Sequence, residues 1–122
     1  MRICRKFKFD AAHYLPNYEG KCKRLHGHTW FLEVEVKGLV DSEGFVMDFA
    51  ELKKLVDDKV IVLLDHLCLN DLGLVFSVNP TCENLLGWAW GVLDGFGSPW
   101  ELSRLRLYES PDCYAELTDG EN

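Results

Sequence analysis

Hydrophobic and polar positions alternate at the start of the chain: Ile3, Phe7 and Phe9 share one parity, Lys6 and Lys8 the other. Period two marks a half-buried strand, so Arg2 to Phe9 is predicted as the first strand. Ala11 to Leu25 reads as irregular, broken by Pro16, Asn17 and Gly20. Alternation returns from Thr29 to Val36, with Trp30, Leu32, Val34 and Val36 on one face and Glu33 and Glu35 on the other. A turn region, Gly38 to Gly44, and a short extended piece, Phe45 to Met47, follow. The period then becomes helical. Asp48 can cap this helix by accepting from free first-turn amides, and Phe49, Leu52, Val56 and Val60 mark its apolar stripe. A connection from Leu64 to Asn79 leads to a second helix, opened by Pro80 and capped by Thr81. Its stripe is Leu85, Ala89, Val92 and Phe96, and Gly95, Gly97 and Pro99 end it. Ser103 to Glu109 alternates again, Leu105 and Leu107 against Arg104 and Arg106, and Tyr114 to Leu117 is a short final strand.

Strands at both ends around a helical middle imply an α+β domain, an antiparallel sheet with helices on one face. With 122 residues, positions 1–122 form one domain with a single core. The polar sheet positions carry Lys6, Lys8, Glu33, Glu35, Arg104 and Arg106. They read either as a solvated outer face or as mixed charges paired across strands lining an oligomeric barrel.

Composition narrows the function classes. A net charge of −7 argues against general nucleic-acid or anionic-membrane binding, so any phosphate-bearing substrate must meet local positive charge. No apolar run approaches the ~20 residues of a membrane span. The N-terminus alternates instead of forming a continuous apolar block, which reads as a strand and makes the cytoplasm the expected location. Five cysteines (Cys4, Cys22, Cys68, Cys82, Cys113) are an odd number without short paired spacing, suggesting neither a disulfide framework nor a zinc ribbon.

The four histidines carry the chemical signal. His26 and His28 flank Gly27 where the second strand begins, so an extended backbone points both rings to one side. His13 follows the first strand, and pairing of the two strands would bring a third imidazole close. Three histidines suit a catalytic Zn2+ that keeps an open position; two surface histidines beside a turn is the competing reading. Gly27 is expected to leave room where the backbone passes the metal. Cys22 lies four residues before His26 among Lys21, Lys23 and Arg24, a setting expected to favour thiolate. It reads as a base beside an open metal, as a fourth ligand, or as an inert buried cysteine. Asp65 precedes His66, and a carboxylate that orients an imidazole makes a proton-transfer pair; helix-end hydrogen bonding is the alternative. Glu109 ends a strand and is either solvated or an acceptor for a donor-rich heterocycle edge.

Taken in order, FDAAHYLP, CKRLHGH, MDFAELK, LDHLCLND, NPTCENL and YES resemble the 6-pyruvoyl-tetrahydropterin synthase family, across residues 7 to 110. The resemblance implies the tunnelling fold: a four-stranded antiparallel sheet with two helices on one face, assembled into a trimeric barrel or a dimer of trimers with active sites shared between subunits. It also implies zinc on His13, His26 and His28, Cys22 as base, Asp65 and His66 as the assisting pair, and Glu109 as the pterin anchor. Three residues between Cys22 and His26 look like the bacterial 6-carboxytetrahydropterin synthases of queuosine biosynthesis. The biopterin branch has a longer insert there, and a folate-pathway branch has glutamate in place of the cysteine. Cys82 departs from the family's common serine in NPTSEN.

The activity so implied is zinc-dependent conversion of 7,8-dihydroneopterin triphosphate to 6-carboxy-5,6,7,8-tetrahydropterin, acetaldehyde and triphosphate. The alternatives are a 6-pyruvoyl-tetrahydropterin synthase and a non-catalytic zinc-stabilised binding module. A rolling-circle-type nuclease with an H-x-H metal pair would want a helix-borne tyrosine. Here Tyr14, Tyr18, Tyr108 and Tyr114 fall in loops or strands, and the charge is wrong.

Overall fold

Two long strands, β1 (Arg2–His13) and β2 (His26–Gly38), pair antiparallel from Arg2 opposite Lys37 to His13 opposite His26. The structure, a computed structural model, describes residues 1–73, 79–95 and 99–121. Phe96 and Gly97, assigned above to the second helix and its end, lie outside the described residues, as does part of the expected connection from Leu64 to Asn79.

Both strands outrun their sequence prediction. Aspartate and alanine are poor strand formers, yet Asp10 to His13 continue β1 because β2 pairs with them on one side. On the other side the two-residue β3 (Leu67–Cys68) runs parallel to Ala11 and Ala12. β4 (Trp100–Ser110) adds antiparallel to β2, and β5 (Cys113–Thr118) to β4. The sheet order is β3-β1-β2-β4-β5. The expected four antiparallel strands are thus present, with β3 as an extra edge, while Phe45 to Met47 forms no strand.

The helices cover one face. In α1 (Phe49–Val56) the Asp48 carboxylate caps as expected, accepting from Ala50 N at 2.8 Å. A π-helical stretch, Asp57–Ile61, and a last turn, α2 (Val62–Leu64), extend the rod. Leu52, Val56, Val60 and Leu64 are all buried at four-residue spacing. In an α-helix each such step overshoots the 3.6-residue turn; the wider π turn takes up the excess and keeps the stripe on the sheet. Phe49 is not part of that stripe. It sits next to the cap, at the end of the rod, and is 51% exposed.

α3 (Cys82–Leu93) is capped by Thr81, whose hydroxyl accepts from Asn84 N at 3.1 Å. Its buried face is Cys82, Leu85, Leu86, Ala89, Trp90 and Leu93, with Val92 only half-buried. A helix apolar on nearly every side leaves its inner face ambiguous in sequence, and the sheet selects it. Cys82 is a core residue: its Sγ donates to the Leu107 carbonyl at 3.0 Å, and burial pushes the thiol pKa up to about 11.

On the other sheet face Arg104 and Arg106 are paired with glutamates, while Lys6 lies over the Phe31 and Tyr108 rings. Arg104 contacts Glu33, Glu35 and Glu116 at 3.3–3.5 Å, and Arg106 contacts Glu116 at 2.7 Å. Glu33 and Glu35 side chains are only 17% exposed within one chain, so this face is a cross-strand ion-pair ladder and not a set of independently solvated ions.

Candidate metal centre and adjoining cleft

Register alone assembles the histidines. His13 lies opposite His26 on the paired strands, and His28 shares the face of Trp30 two residues on. The ring centroids stand 4.6 Å (His13–His26), 5.2 Å (His13–His28) and 4.8 Å (His26–His28) apart. Buried Trp30 backs the group, its ring edge-on to His13 and His28 and its indole N–H donating to the Ala11 carbonyl. At the end of β1, Asn70 clamps Tyr14, accepting from its N–H at 2.9 Å and donating to its carbonyl at 2.8 Å. His13 is thereby held next to a fixed point.

Hydrogen bonding orients the rings. His13 Nδ1 lies 2.8 Å from the Pro80 carbonyl and His26 Nδ1 2.6 Å from the Arg24 carbonyl. A carbonyl only accepts, so both Nδ1 atoms carry the proton and both Nε2 atoms keep a lone pair when neutral. Burial above all lowers the His28 pKa; the Glu109 carboxylate opposes this, and His13 and His26 reinforce it. Neutral imidazoles with converging lone pairs are what a metal ion requires. His13, His26, His28 and Glu109 present ligand atoms all within 4.8 Å of one another.

Glu109 is the member that sequence reasoning placed elsewhere in the site. Its Oε1 lies 3.1 Å from His13 Nε2 and 3.3 Å from His28 Nε2. Cys22 does not belong to this cluster. It sits half-buried in a 3-10 turn, Lys21–Lys23, whose lysines and the following Arg24 are exposed.

Asp65 and His66 do touch. Asp65 Oδ1 lies 3.0 Å from His66 Nδ1 and accepts the Asp10 N–H at 2.9 Å, while His66 N–H donates to the Asp10 carbonyl at 2.6 Å. The Asp10 amide, first of all, holds the Asp65 carboxyl below the usual carboxylate range. His66 has φ of +63°, the one positive value outside glycine among the described residues. Such backbone costs about 1–3 kcal/mol and persists where surrounding bonds enforce it; here the Asp10 bridge does so and turns the ring outward. Sequence reading missed Asp10 as the organiser of this pair, together with Thr29, whose hydroxyl donates to Asp10 Oδ1 at 2.6 Å.

The two groups adjoin. Asp10, Ala12, Gly27, His28, Thr29 and His66 are among the residues lining one cleft of about 530 Å³. A Cβ on Gly27 would meet nothing within 4 Å, so the expectation that glycine makes room for a metal does not hold within this chain. By strand parity Gly27 faces away from the three imidazoles. Among the described residues no helix is long and apolar enough to cross a membrane.

Comparison with known proteins gives a consistent picture. Residues 2–120 match the model of the family described as 6-pyruvoyl tetrahydropterin synthase. The 6-carboxy-5,6,7,8-tetrahydropterin synthase of Synechocystis is 44% identical over 80% of this chain and 78% of its own length. The dihydroneopterin monophosphate aldolase of Pyrococcus furiosus is 40% identical over 95% of this chain and 96% of its own. Among solved structures, the 6-pyruvoyl tetrahydropterin synthase of Caenorhabditis elegans superposes with a TM-score of 0.80, at 25% identity over 98% of this chain and 96% of that one.

Proposed function

The chain belongs to the 6-pyruvoyl tetrahydropterin synthase family, and from that premise we propose that it is a zinc-dependent 6-carboxytetrahydropterin synthase. The reaction is 7,8-dihydroneopterin triphosphate plus water giving 6-carboxy-5,6,7,8-tetrahydropterin, acetaldehyde and triphosphate, in the pathway to queuosine. The observation that carries the reading is the convergence of three imidazoles, two of them with Nδ1 committed to carbonyls, in a chain 44% identical to a relative so named.

His13, His26 and His28 would hold the ion, and this donor set suits zinc. When bound, zinc supplies Lewis-acid polarisation of the substrate's side-chain hydroxyls. The remaining work falls to the protein. Cys22, as thiolate, takes a proton from the substrate side chain. His66, with its Nδ1 oriented by Asp65, handles the opposing proton transfers. Glu109 accepts from the pterin's 2-amino and N3 edge, two parallel donors that match a carboxylate. Lys21, Lys23 and Arg24 are available for the triphosphate. Cys22 stands apart from the histidine cluster, which fits a site completed between subunits of a trimer or a dimer of trimers. The cytoplasm is the compartment we assign.

A second reading is aldol cleavage of a dihydroneopterin monophosphate, favoured by the Pyrococcus relative that spans 95% of this chain. Both reactions need a polarised side-chain oxygen and a base, so the residues above serve either. The 6-pyruvoyl product is a third outcome of the same machinery. Triphosphate release from dihydroneopterin triphosphate, assayed with and without a chelator, tests the proposal. Release that depends on zinc is expected; none under any metal condition would overturn it.

A further inference from the structure

Residues 14–25 connect β1 to β2 and carry Cys22, yet little within the chain holds them. None of these residues is buried; Tyr14, Leu15 and Cys22 are half-buried and the others exposed. Inside the loop, Leu15 N–H donates to the Cys22 carbonyl at 2.7 Å and Tyr18 N–H to the Leu15 carbonyl at 3.1 Å. Among the described residues, the loop's hydrogen bonds to the rest of the chain are that between His26 Nδ1 and the Arg24 carbonyl and two made by Asn70.

Asn70 does there what a neighbouring strand would do. β3 pairs with Ala11 and Ala12, but the chain then turns away into the 3-10 turn Leu69–Asp71, rooted in the core by buried Leu69. The Asn70 side chain takes over the pairing one residue beyond His13. Its Oδ1 accepts the Tyr14 N–H at 2.9 Å and its Nδ2 donates to the Tyr14 carbonyl at 2.8 Å. A side-chain amide offers both an acceptor and donors, so it can satisfy the two backbone groups of one residue. The next residue is Leu15, whose N–H holds the Cys22 carbonyl. The clamp therefore reaches Cys22 through a single peptide link and a single hydrogen bond. It also starts from the segment that presents the touching pair Asp65 and His66.

We propose that Asn70 is a positioning residue for Cys22: it fixes the loop that carries the thiol to the segment that carries the Asp65–His66 pair. This rests on the base role given to Cys22 above. A reacting group misplaced by about 1 Å can lose ~10²-fold in rate, and a loop without buried residues has few other contacts to keep its place.

The test compares zinc-loaded wild type and Asn70→Ala in two assays. The first is the rate of Cys22 alkylation by iodoacetamide, read by peptide mass spectrometry, with buried Cys82 as the monitor of unfolding. Lys21, Lys23 and Arg24 travel with Cys22, so release of the loop should expose the thiol without removing its cations. Cys22 should react severalfold faster while Cys82 stays protected. In the second assay, triphosphate release, kcat should fall about 10–100-fold with KM unchanged. Zinc content should hold, since His13 keeps His26 opposite it and the Pro80 carbonyl on its Nδ1. Equal alkylation rates, Cys22 and Cys82 exposed in step, or an unchanged kcat beside a faster Cys22 would each overturn the proposal. Should the alanine variant not fold, Asn70→Asp, which keeps an acceptor for the Tyr14 N–H, carries the same two assays. If the wild type itself releases no triphosphate, the proposed function falls, and the alkylation rates still decide whether Asn70 holds Cys22 in place.

Discussion

The backbone N–H of Asp10 donates to the carboxylate of Asp65 at 2.9 Å, joining residues 55 positions apart. With the return bond from His66 N–H to the Asp10 carbonyl, it fastens the Asp65–His66 pair to the strand that carries His13.

That bond sets a pH dependence. The Asp65 carboxyl lies below its ordinary value in the folded protein, chiefly because the Asp10 amide donates to the ionised form. The folded state therefore favours the carboxylate. The resulting stability is present above the unfolded value of about 3.9 and is lost as pH falls through the lower folded value. The side chain is 36% exposed, so the contribution should stay under about 1 kcal/mol. In urea titrations, the stability difference between wild type and Asp65→Asn should be flat from about pH 7 to 5 and shrink below about pH 4. A difference that grows on acidification would contradict the assignment.

Chelation should abolish turnover and leave the far-UV circular dichroism intact. Leu32, Val34 and Leu105 belong to an apolar core with α1 and α3 that extends well beyond the histidines and Trp30. Unfolding in step with metal loss would indicate a zinc-stabilised module instead.

Cys22→Ala should keep its zinc, since the three histidines remain, and lose roughly 10²–10⁴ in turnover, the usual size of a lost general base. Cys22→Ser should be nearly as poor. Normal turnover in the alanine variant would move the base role to His66; loss of zinc would make Cys22 a ligand.

The sheet leaves two long edges. β3 covers only Ala11 and Ala12 of β1, and among the described residues β5 pairs with β4 alone. Such edges invite pairing with another chain, and closure into a barrel removes them. Sedimentation equilibrium should give a trimer or a hexamer. A monomer with full turnover would refute the shared site.

Much of this arrangement was legible in the chain. Alternation marked the four antiparallel strands, Asp48 and Thr81 capped where expected, and the H-x-H pair pointed to the cluster. What stayed hidden depends on register. Asp-Ala-Ala-His reads as a loop, and only its partners in β2 and β3 make it strand. The Asp10–Thr29 contact follows from that pairing, across 19 positions. Glu109 looked like an ordinary strand end because a bulge between Tyr108 and Ser110 cannot be read from alternation. The π-helical stretch was invisible for a similar reason: four-residue spacing from Leu52 to Leu64 resembles an ordinary apolar stripe until the sheet demands that it stay straight.

The most direct measurement is mass spectrometry of the products formed from 7,8-dihydroneopterin triphosphate by the zinc-loaded protein, with the monophosphate run in parallel. The account predicts 6-carboxy-5,6,7,8-tetrahydropterin and acetaldehyde from the triphosphate, in equal amounts and dependent on Cys22. A 6-pyruvoyl product, or aldol cleavage of the monophosphate with the triphosphate left intact, would contradict it.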